Sequence, residues 1–444
     1  MRPLPGAGPA ADVTAAQFSE LAFVVAAFCA ALIVSFALSP VAIWVARRVG
    51  AIDEPDASRR IHRLPVPRAG GMAVAVAFIV VGVGAVLVNG TNGRIDVGRI
   101  GSPELITLFA GCGLAAVLGF IDDRWQIRAR WQLLAQLALA ALVIVGGAPR
   151  SFDDGLPVDG IRISFVANPV PFLGGSFAGE LLRFSGPLAI GLTALWIVGM
   201  INSLNFIDGL DGLSSGISLI ACLTLGLLSF IQGQPLVALL CAILAGALGG
   251  FLPWNFHPAR VFIGTTGVFA VGYALAVLSI VGTAKVAVAL LVLGVPIIDT
   301  FWIIIRRLSH HQSPFTPDRG HFHHRLLDLG LSHRGAVLVI YLICIVLAVL
   351  SLVLPTGGTI WAFVAIVLGG GLVLYLLTRR AQGALDASSY PDPPAPPSAG
   401  PTEDLDRKPA DVESRRSAPP PVPPPPTGEF ATEDSGHSGT RPAR

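Results

Sequence analysis

The stretch Asn202-Ser-Leu-Asn-Phe-Ile-Asp-Gly-Leu-Asp-Gly-Leu213 places two Asn, two Asp and two Gly between segments too apolar to live in water. Ionisable side chains at membrane depth are costly, so such a run between two spans marks a functional site. On a helix end, Asn202 and Asn205 share one face. Gly209 and Gly212 free the backbone to turn and aim Asp208 and Asp211 into the same space. Carboxylates beside amide oxygens suit a hard cation such as Mg²⁺, above all one that carries phosphates. A merely capped helix end accounts for one Asp and one Gly, but poorly for four polar groups so close together.

Working outward, the chain is 53% hydrophobic and 13% charged, with a mean hydropathy of +0.70. A soluble domain carries about a quarter charged residues. Apolar runs of roughly 18 residues or more mark membrane helices. Eleven are expected, at about 20–46, 70–88, 104–121, 131–148, 187–203, 213–231, 235–252, 264–281, 285–305, 335–354 and 359–378. The fold class is therefore all-α, a polytopic helical membrane bundle. The first segment lacks a basic leader and a small-residue cleavage site, so it reads as a span, not a signal peptide. Residues 1–19 form an N-terminal extracytoplasmic segment, 20–380 the multi-span domain, and 381–444 a Pro-rich, disordered tail on the cytoplasmic side.

Arginine placement orients the bundle. Arg47, Arg48, Arg59, Arg60, Arg63 and Arg68 follow the first span, Arg124, Arg128 and Arg130 the third, and Arg306, Arg307, Arg319, Arg325 and Arg334 the ninth. The alternate loops are poorer in basic residues, so the positive-inside rule puts the N-terminus outside and the C-terminus in the cytoplasm. Cys29, Cys112, Cys222, Cys241 and Cys344 all fall within apolar spans, with no metal or redox spacing. The formal net charge of +2 says little more; no nucleic-acid partner is expected, and no internal repeat suggests a transporter of duplicated halves.

Every polar motif falls on the side assigned as cytoplasmic: the basic loop through Arg68, Asp122-Asp123, the Asn202–Leu213 stretch, Asn255-Phe-His-Pro-Ala-Arg-Val-Phe-Ile-Gly-Thr-Thr-Gly267, and Asp318-Arg-Gly-His-Phe-His-His-Arg325. The adjacent Asp122 and Asp123 demand a cation or share a proton, which suits a metal site or a base. His321, His323, His324 and Arg325 supply donors for a phosphate dianion. Zinc is the rival for three His, without a nearby Cys to support it. Phe262 offers an aromatic platform for a base, or ordinary packing. Asp299 is expected to pair with Arg306 in a structural role. Metal-seeking carboxylates and phosphate-binding His and Arg at a membrane imply phosphoryl transfer between a nucleotide and a lipid.

These motifs, in this order over residues 20–380, resemble the polyprenyl-phosphate N-acetylhexosamine-1-phosphate transferases. The His loop and the eleven spans look more like their GlcNAc-1-phosphate branch than the peptidoglycan translocases. The resemblance implies transfer of a HexNAc-1-phosphate from a UDP-N-acetylhexosamine to a polyprenyl phosphate, releasing UMP, with Mg²⁺ as cofactor. It also implies a plasma-membrane location, an active site on the cytoplasmic face and a possible homodimer. Asp122 and Asp123 match the paired Asp, the former as base on the lipid phosphate, and with Asp208 and Asp211 they are the candidate catalytic carboxylates. Asn205, Asp208 and Asp123 are the implied metal ligands. Arg68, Asn202, Asn255, Phe262, His321, His323, His324 and Arg325 are the implied substrate contacts, Phe262 stacking on uracil.

The chain departs from the family pattern in two motifs. Thr265 stands where a principal Mg²⁺-binding Asp is expected, with Val268 in place of a Ser. Gln132 stands where a Lys usually follows the Asp pair. A neutral hydroxyl is a weaker ligand for a hard cation. The alternative to a transferase is thus a family member with weakened or lost catalysis that binds UDP-sugar or lipid phosphate in a regulatory role. A transporter gated by the polar loops is a third, weaker reading.

Overall fold

An apolar chain in lipid must satisfy its backbone internally, which leaves the helix as the only open-ended solution. The computed structural model describes residues 9–372, apart from 55–64, 94, 96–100, 148–149, 152–156, 159–160, 168–180, 184–185, 283–285, 310–320 and 355–357. The expected tail at 381–444 and the start of the 1–19 segment lie outside the described residues. Asp318-Arg319-Gly320 of the His loop does too.

Thirteen described helices follow: α1 Pro9–Val49, α2 Gly71–Asn92, α3 Ser102–Trp125, α4 Ala129–Val145, α5 Gly186–Ile207, α6 Leu213–Ile231, α7 Pro235–Asn255, α8 Gly264–Val281, α9 Val286–Val292, α10 Gly294–Ser309, α11 Phe322–Asp328, α12 His333–Val353 and α13 Gly358–Leu372. Their ends carry recognisable signals. Glu104 accepts the Gly101 amide at 2.9 Å beside Pro103 at the start of α3, and Ser332 caps α12 by accepting from the Gly335 amide at 3.1 Å. Three two-stranded antiparallel ribbons complete the fold. These are β1 Ile52–Asp53 with β2 Val66–Pro67, β3 Arg150–Ser151 with β4 Pro157–Val158, and β5 Phe165–Ala167 with β6 Leu181–Arg183.

Each of the eleven expected segments contains a helix among its described residues, but eight of the described helices are long and apolar enough to cross a membrane, or nine when a bent pair counts as one. The bent pair corrects the continuous span expected at 285–305: α9 and α10 meet at 77°. Gly294 and Pro296 sit at the break, where a missing amide donor and a residue without Cβ favour an end to the helix. α4 and α13 are shorter apolar helices.

α7 and α8 are the hub, each with 83% of its apolar window buried, whereas α1 lies outside with 17%. The close crossings rest on absent side chains. Gly246 and Gly250, one turn apart on α7, bring their backbone against the carbonyls of Phe28 and Leu32 on α1. At the start of α8, Gly71 of α2 abuts Gly267 and Gly119 of α3 abuts the Thr265 carbonyl. Three helices thus meet tightly where the polar loops emerge.

Candidate active site

The polar loops converge on a cavity of about 340 Å³, within the range of small-molecule sites. Asp53 and Arg68 line it from the β1–β2 segment, and Asn205, Asp208 and Asp211 from the α5–α6 connection. Asn255, His257, Phe262, Gly264 and Thr265 come from the α7–α8 connection, His324 from α11, and His333 from the start of α12. Backbone bonds stitch the first two walls together: Phe262 donates its amide to the Pro67 carbonyl, and the Gly70 amide donates to the Phe262 carbonyl, both at 2.9 Å. Arg68 faces Asp53 at 3.7 Å.

Asp122 and Asp123 stand behind this lining. Asp123 accepts the Thr265 amide at 2.8 Å, the Thr266 amide at 2.9 Å and the Thr266 hydroxyl at 2.6 Å. It thereby takes up the free amides that open α8, as a capping side chain would, and meets the positive end of that helix. The approach is possible because Gly264 has a left-handed φ of +64° and no Cβ to strike the Asp123 carboxylate. On Asp122, Oδ1 accepts from the Ile127 amide at 2.9 Å and Gln132 Nε2 at 2.7 Å, and Oδ2 from the Thr265 hydroxyl at 2.7 Å. Gln132 and Thr265, the two departures from the family pattern, thus grip the same carboxylate.

Asn205 and Asp208 open onto the cavity. Ser214 donates to Asp208 Oδ1 at 2.5 Å. The Asp208 residue is partly open to the cavity, yet its carboxyl is enclosed by protein, and burial pushes it up to about 7. The Ser214 bond and Arg68 oppose the rise, while Asp123 and Asp211 add to it. A carboxyl crowded by two others in an oxygen-rich lining is the environment a hard divalent cation relieves, so Asn205 and Asp208 fit Mg²⁺. Thr265, whose hydroxyl donates to Asp122, offers that set only a neutral oxygen in place of a carboxylate.

Asp211 is held on one side. Its Oδ2 meets His257 Nδ1 at 2.7 Å and the Ala259 amide at 3.1 Å, and its own amide donates to His333 Nε2 at 2.9 Å. Asp211, His257 and His333 are a group with three metal-capable atoms within 4.8 Å of one another. The two rings are stacked, 4.1 Å apart and 17° from parallel. Their in-plane lone pairs run side by side instead of converging, and His333 Nε2 already accepts a proton. This group is a hydrogen-bonded brace for Asp211.

The remaining expected residues separate. Asn255 lines the cavity while accepting from Ser215 at 2.5 Å and donating to the Val261 carbonyl at 3.1 Å, so it also ties its loop together. Phe262 and His324 line the cavity, whereas Asn202 does not. Asn202 exchanges bonds with Gln136 on α4, donating at 2.5 Å and accepting at 3.4 Å. His321, His323 and Arg325 are not among the lining residues. His321 and His323 stack at 5.5 Å, and His323 and His324 meet tilted at 4.3 Å. Among the described residues neither ring nitrogen of the buried His323 has a hydrogen-bond partner, and burial, with His324 and His321 beside it, holds it well below the usual imidazole range. Asp299 does not pair with Arg306: its carboxylate accepts from His321 Nδ1 and the Phe322 amide, each at 2.8 Å. The bend before α10 turns Asp299 toward the loop and away from its own helix.

Sequence reasoning missed Asp53, His257 and His333 as lining residues. His257 lay inside a quoted motif, and Asp53 shares a loop with Arg68. His333 carries no local signal beyond following the Ser332 cap.

Fold and site together define a polytopic membrane protein with an oxygen-rich cavity at one end of its helices. Residues 105–283 match the family described as glycosyl transferase family 4. The chain is 35% identical over 344 residues to a probable undecaprenyl-phosphate N-acetylglucosaminyl 1-phosphate transferase of Bacillus subtilis, covering 76% of this chain and 86% of that one. It is 32% identical over 348 residues to the decaprenyl-phosphate N-acetylglucosaminephosphotransferase of Mycobacterium tuberculosis, covering 73% and 80%. Identity to the undecaprenyl-phosphate alpha-N-acetylglucosaminyl 1-phosphate transferase of Escherichia coli is 26% over 314 residues, covering 68% and 76%. The chain belongs to this family and is a membrane phosphotransferase of the glycosyl-1-phosphate class.

Proposed function

We propose that the protein transfers N-acetylglucosamine-1-phosphate from UDP-GlcNAc to a polyprenyl phosphate, releasing UMP and starting a lipid-linked envelope polysaccharide. The observation that carries this reading is the gathering of Arg68, Asn205, Asp208, Phe262 and His324 around one cavity. Phe262 gives a base a flat apolar face, Arg68 and His324 give a diphosphate positive donors, and Asn205 with Asp208 would hold Mg²⁺. When bound, Mg²⁺ supplies charge neutralisation to the diphosphate. An oxygen of the acceptor phosphate forms a bond to the phosphorus bearing the sugar. The bond from that phosphorus to the bridging oxygen breaks, and UMP leaves with the electron pair.

A phosphate monoester loses its second proton near pH ~6, so the acceptor is mostly dianionic at neutral pH. It therefore needs little help from a base, and Asp122, with three donors on its two oxygens, serves here as a strut between α3, α4 and α8.

We place the cavity at the cytoplasmic face of the plasma membrane, with eleven helical segments traversing or entering the bilayer, the N-terminus outside and the C-terminus inside. Trp44 with Arg48 at 5.4 Å, Trp125 with Arg124 at 5.7 Å and Trp131 with Arg130 at 5.7 Å lie near the cavity loops. Such Trp–Arg pairs belong at a membrane interface, and basic loops on its inner side.

The test is UMP release by purified protein from UDP-GlcNAc and a polyprenyl phosphate, with Mg²⁺ present or chelated. Release that needs lipid and cation supports the reading. Binding of UDP-GlcNAc without release from any UDP-N-acetylhexosamine would replace it with the regulatory role that the loss of a carboxylate at Thr265 favours.

A further inference from the structure

Asp299 is a carboxylate with 1% exposure on a membrane helix, a costly placement that the transfer chemistry described so far does not use. Both of its oxygens point to the His loop. Oδ2 lies 2.8 Å from His321 Nδ1, and Oδ1 accepts the Phe322 amide at 2.8 Å. One residue therefore fixes both the ring and the main chain at the start of α11. A carboxylate only accepts, so the His321 proton at this contact sits on Nδ1.

The ring so fixed belongs to a cluster of rings. His321 lies tilted against Phe206 at 6.1 Å, directly beside Asn205 in the chain, stacked on His323 at 5.5 Å and tilted against His324 at 6.4 Å. Among the described residues His323 has no hydrogen-bond partner to orient it, so its neighbours set its position by packing. Among the described residues, Asp299 is the one hydrogen-bond partner of the His321 ring, and His324 in the same cluster lines the cavity.

We propose that Asp299 is a positioning residue for the transfer reaction, acting through His321 to hold the His321–His323–His324 ring cluster against the cavity. The inference rests on the transfer proposed above. Removing the carboxylate that orients a metal-binding His costs about 10–100-fold, and a loss on the same scale is expected here.

The test compares Asp299→Ala, Asp299→Asn, His321→Ala and the Asp299→Ala/His321→Ala double variant. Rates of UMP release are measured alongside deuterium uptake at residues 321–328. If Asp299 acts through His321, Asp299→Ala lowers kcat about 10–100-fold and the double variant is no slower than His321→Ala. Asp299→Asn keeps one accepting oxygen and turns the other into a donor, so it recovers only part of the rate. Uptake at the Phe322 amide rises in Asp299→Ala. Losses that multiply in the double variant overturn the proposal, as does an Asp299→Ala kcat within twofold of the unaltered protein. If the unaltered protein releases no UMP, the transfer reading has failed. The uptake experiment then still decides: unchanged exchange at Phe322 refutes a tether by Asp299, and faster exchange upholds it.

Discussion

Gln132 Nε2 donates to Asp122 Oδ1 at 2.7 Å, so one of the chain's two departures from its family's pattern holds the family's own carboxylate. The other departure, Thr265, holds the second oxygen of the same carboxylate. A Lys and an Asp in these places sum to no net charge, and so do Gln and Thr.

This coupling predicts non-additive effects. Thr265→Asp alone sets a second carboxylate against Asp122 and removes a donor, at a cost of about 1–3 kcal/mol. Both melting temperature and activity fall. Gln132→Lys/Thr265→Asp restores the charge balance and recovers most of the loss in a double-variant cycle of thermal stability and UMP release. A Thr265→Asp single variant faster than the unaltered protein would contradict it.

Asp208, pushed up to about 7 by burial, predicts a pH-dependent metal response. Its stabilising, protonated form is fully present below the ordinary carboxylate range and is lost as pH rises through about 7. A divalent cation must displace that proton, so Mg²⁺ should raise the melting temperature more at pH 8 than at pH 6. Asp208→Asn should flatten the difference. An equal Mg²⁺ response at both pH values, measured by thermal unfolding in detergent, would refute it.

Gly264 should not tolerate a side chain. Its φ of +64° costs an L-residue about 1–2 kcal/mol, and a new Cβ would meet the Asp123 carboxylate at 2.5 and 2.8 Å. Gly264→Ala should therefore lower the melting temperature and loosen α8, read as faster deuterium uptake at Thr265 and Thr266. Gly84, with nothing near its Cβ position, is the control: Gly84→Ala should be neutral.

Phe262→Ala should weaken UDP binding about 5–150-fold, the range for loss of one aromatic stacking partner. Phe262→Tyr should keep it. Equilibrium binding of UDP separates this from a packing role, which would instead lower thermal stability in both variants.

The bundle was legible because lipid leaves an apolar run little choice but a helix, and the segments at 70–88 and 264–281 fold as read. The 285–305 segment was not, because hydropathy averages over Gly294 and Pro296 and does not register a 77° turn. Within the site, Asn205, Asp208, Phe262 and His324 were legible as polar or aromatic residues of membrane-edge loops. Asn202 carried the same signal, yet helix α5 turns it toward Gln136 on α4. His333 and the true partner of Asp299 were hidden, since each depends on a contact across many residues that no local spacing encodes.

Asp211 already has its second oxygen occupied by His257 and Ala259 before any ligand arrives, and its amide by His333. Such a wall has little conformational freedom left to lose on binding, so it favours ligands that are themselves stiff. A rigid nucleoside analogue shaped to the remaining oxygen should make a better inhibitor than a flexible one of equal size.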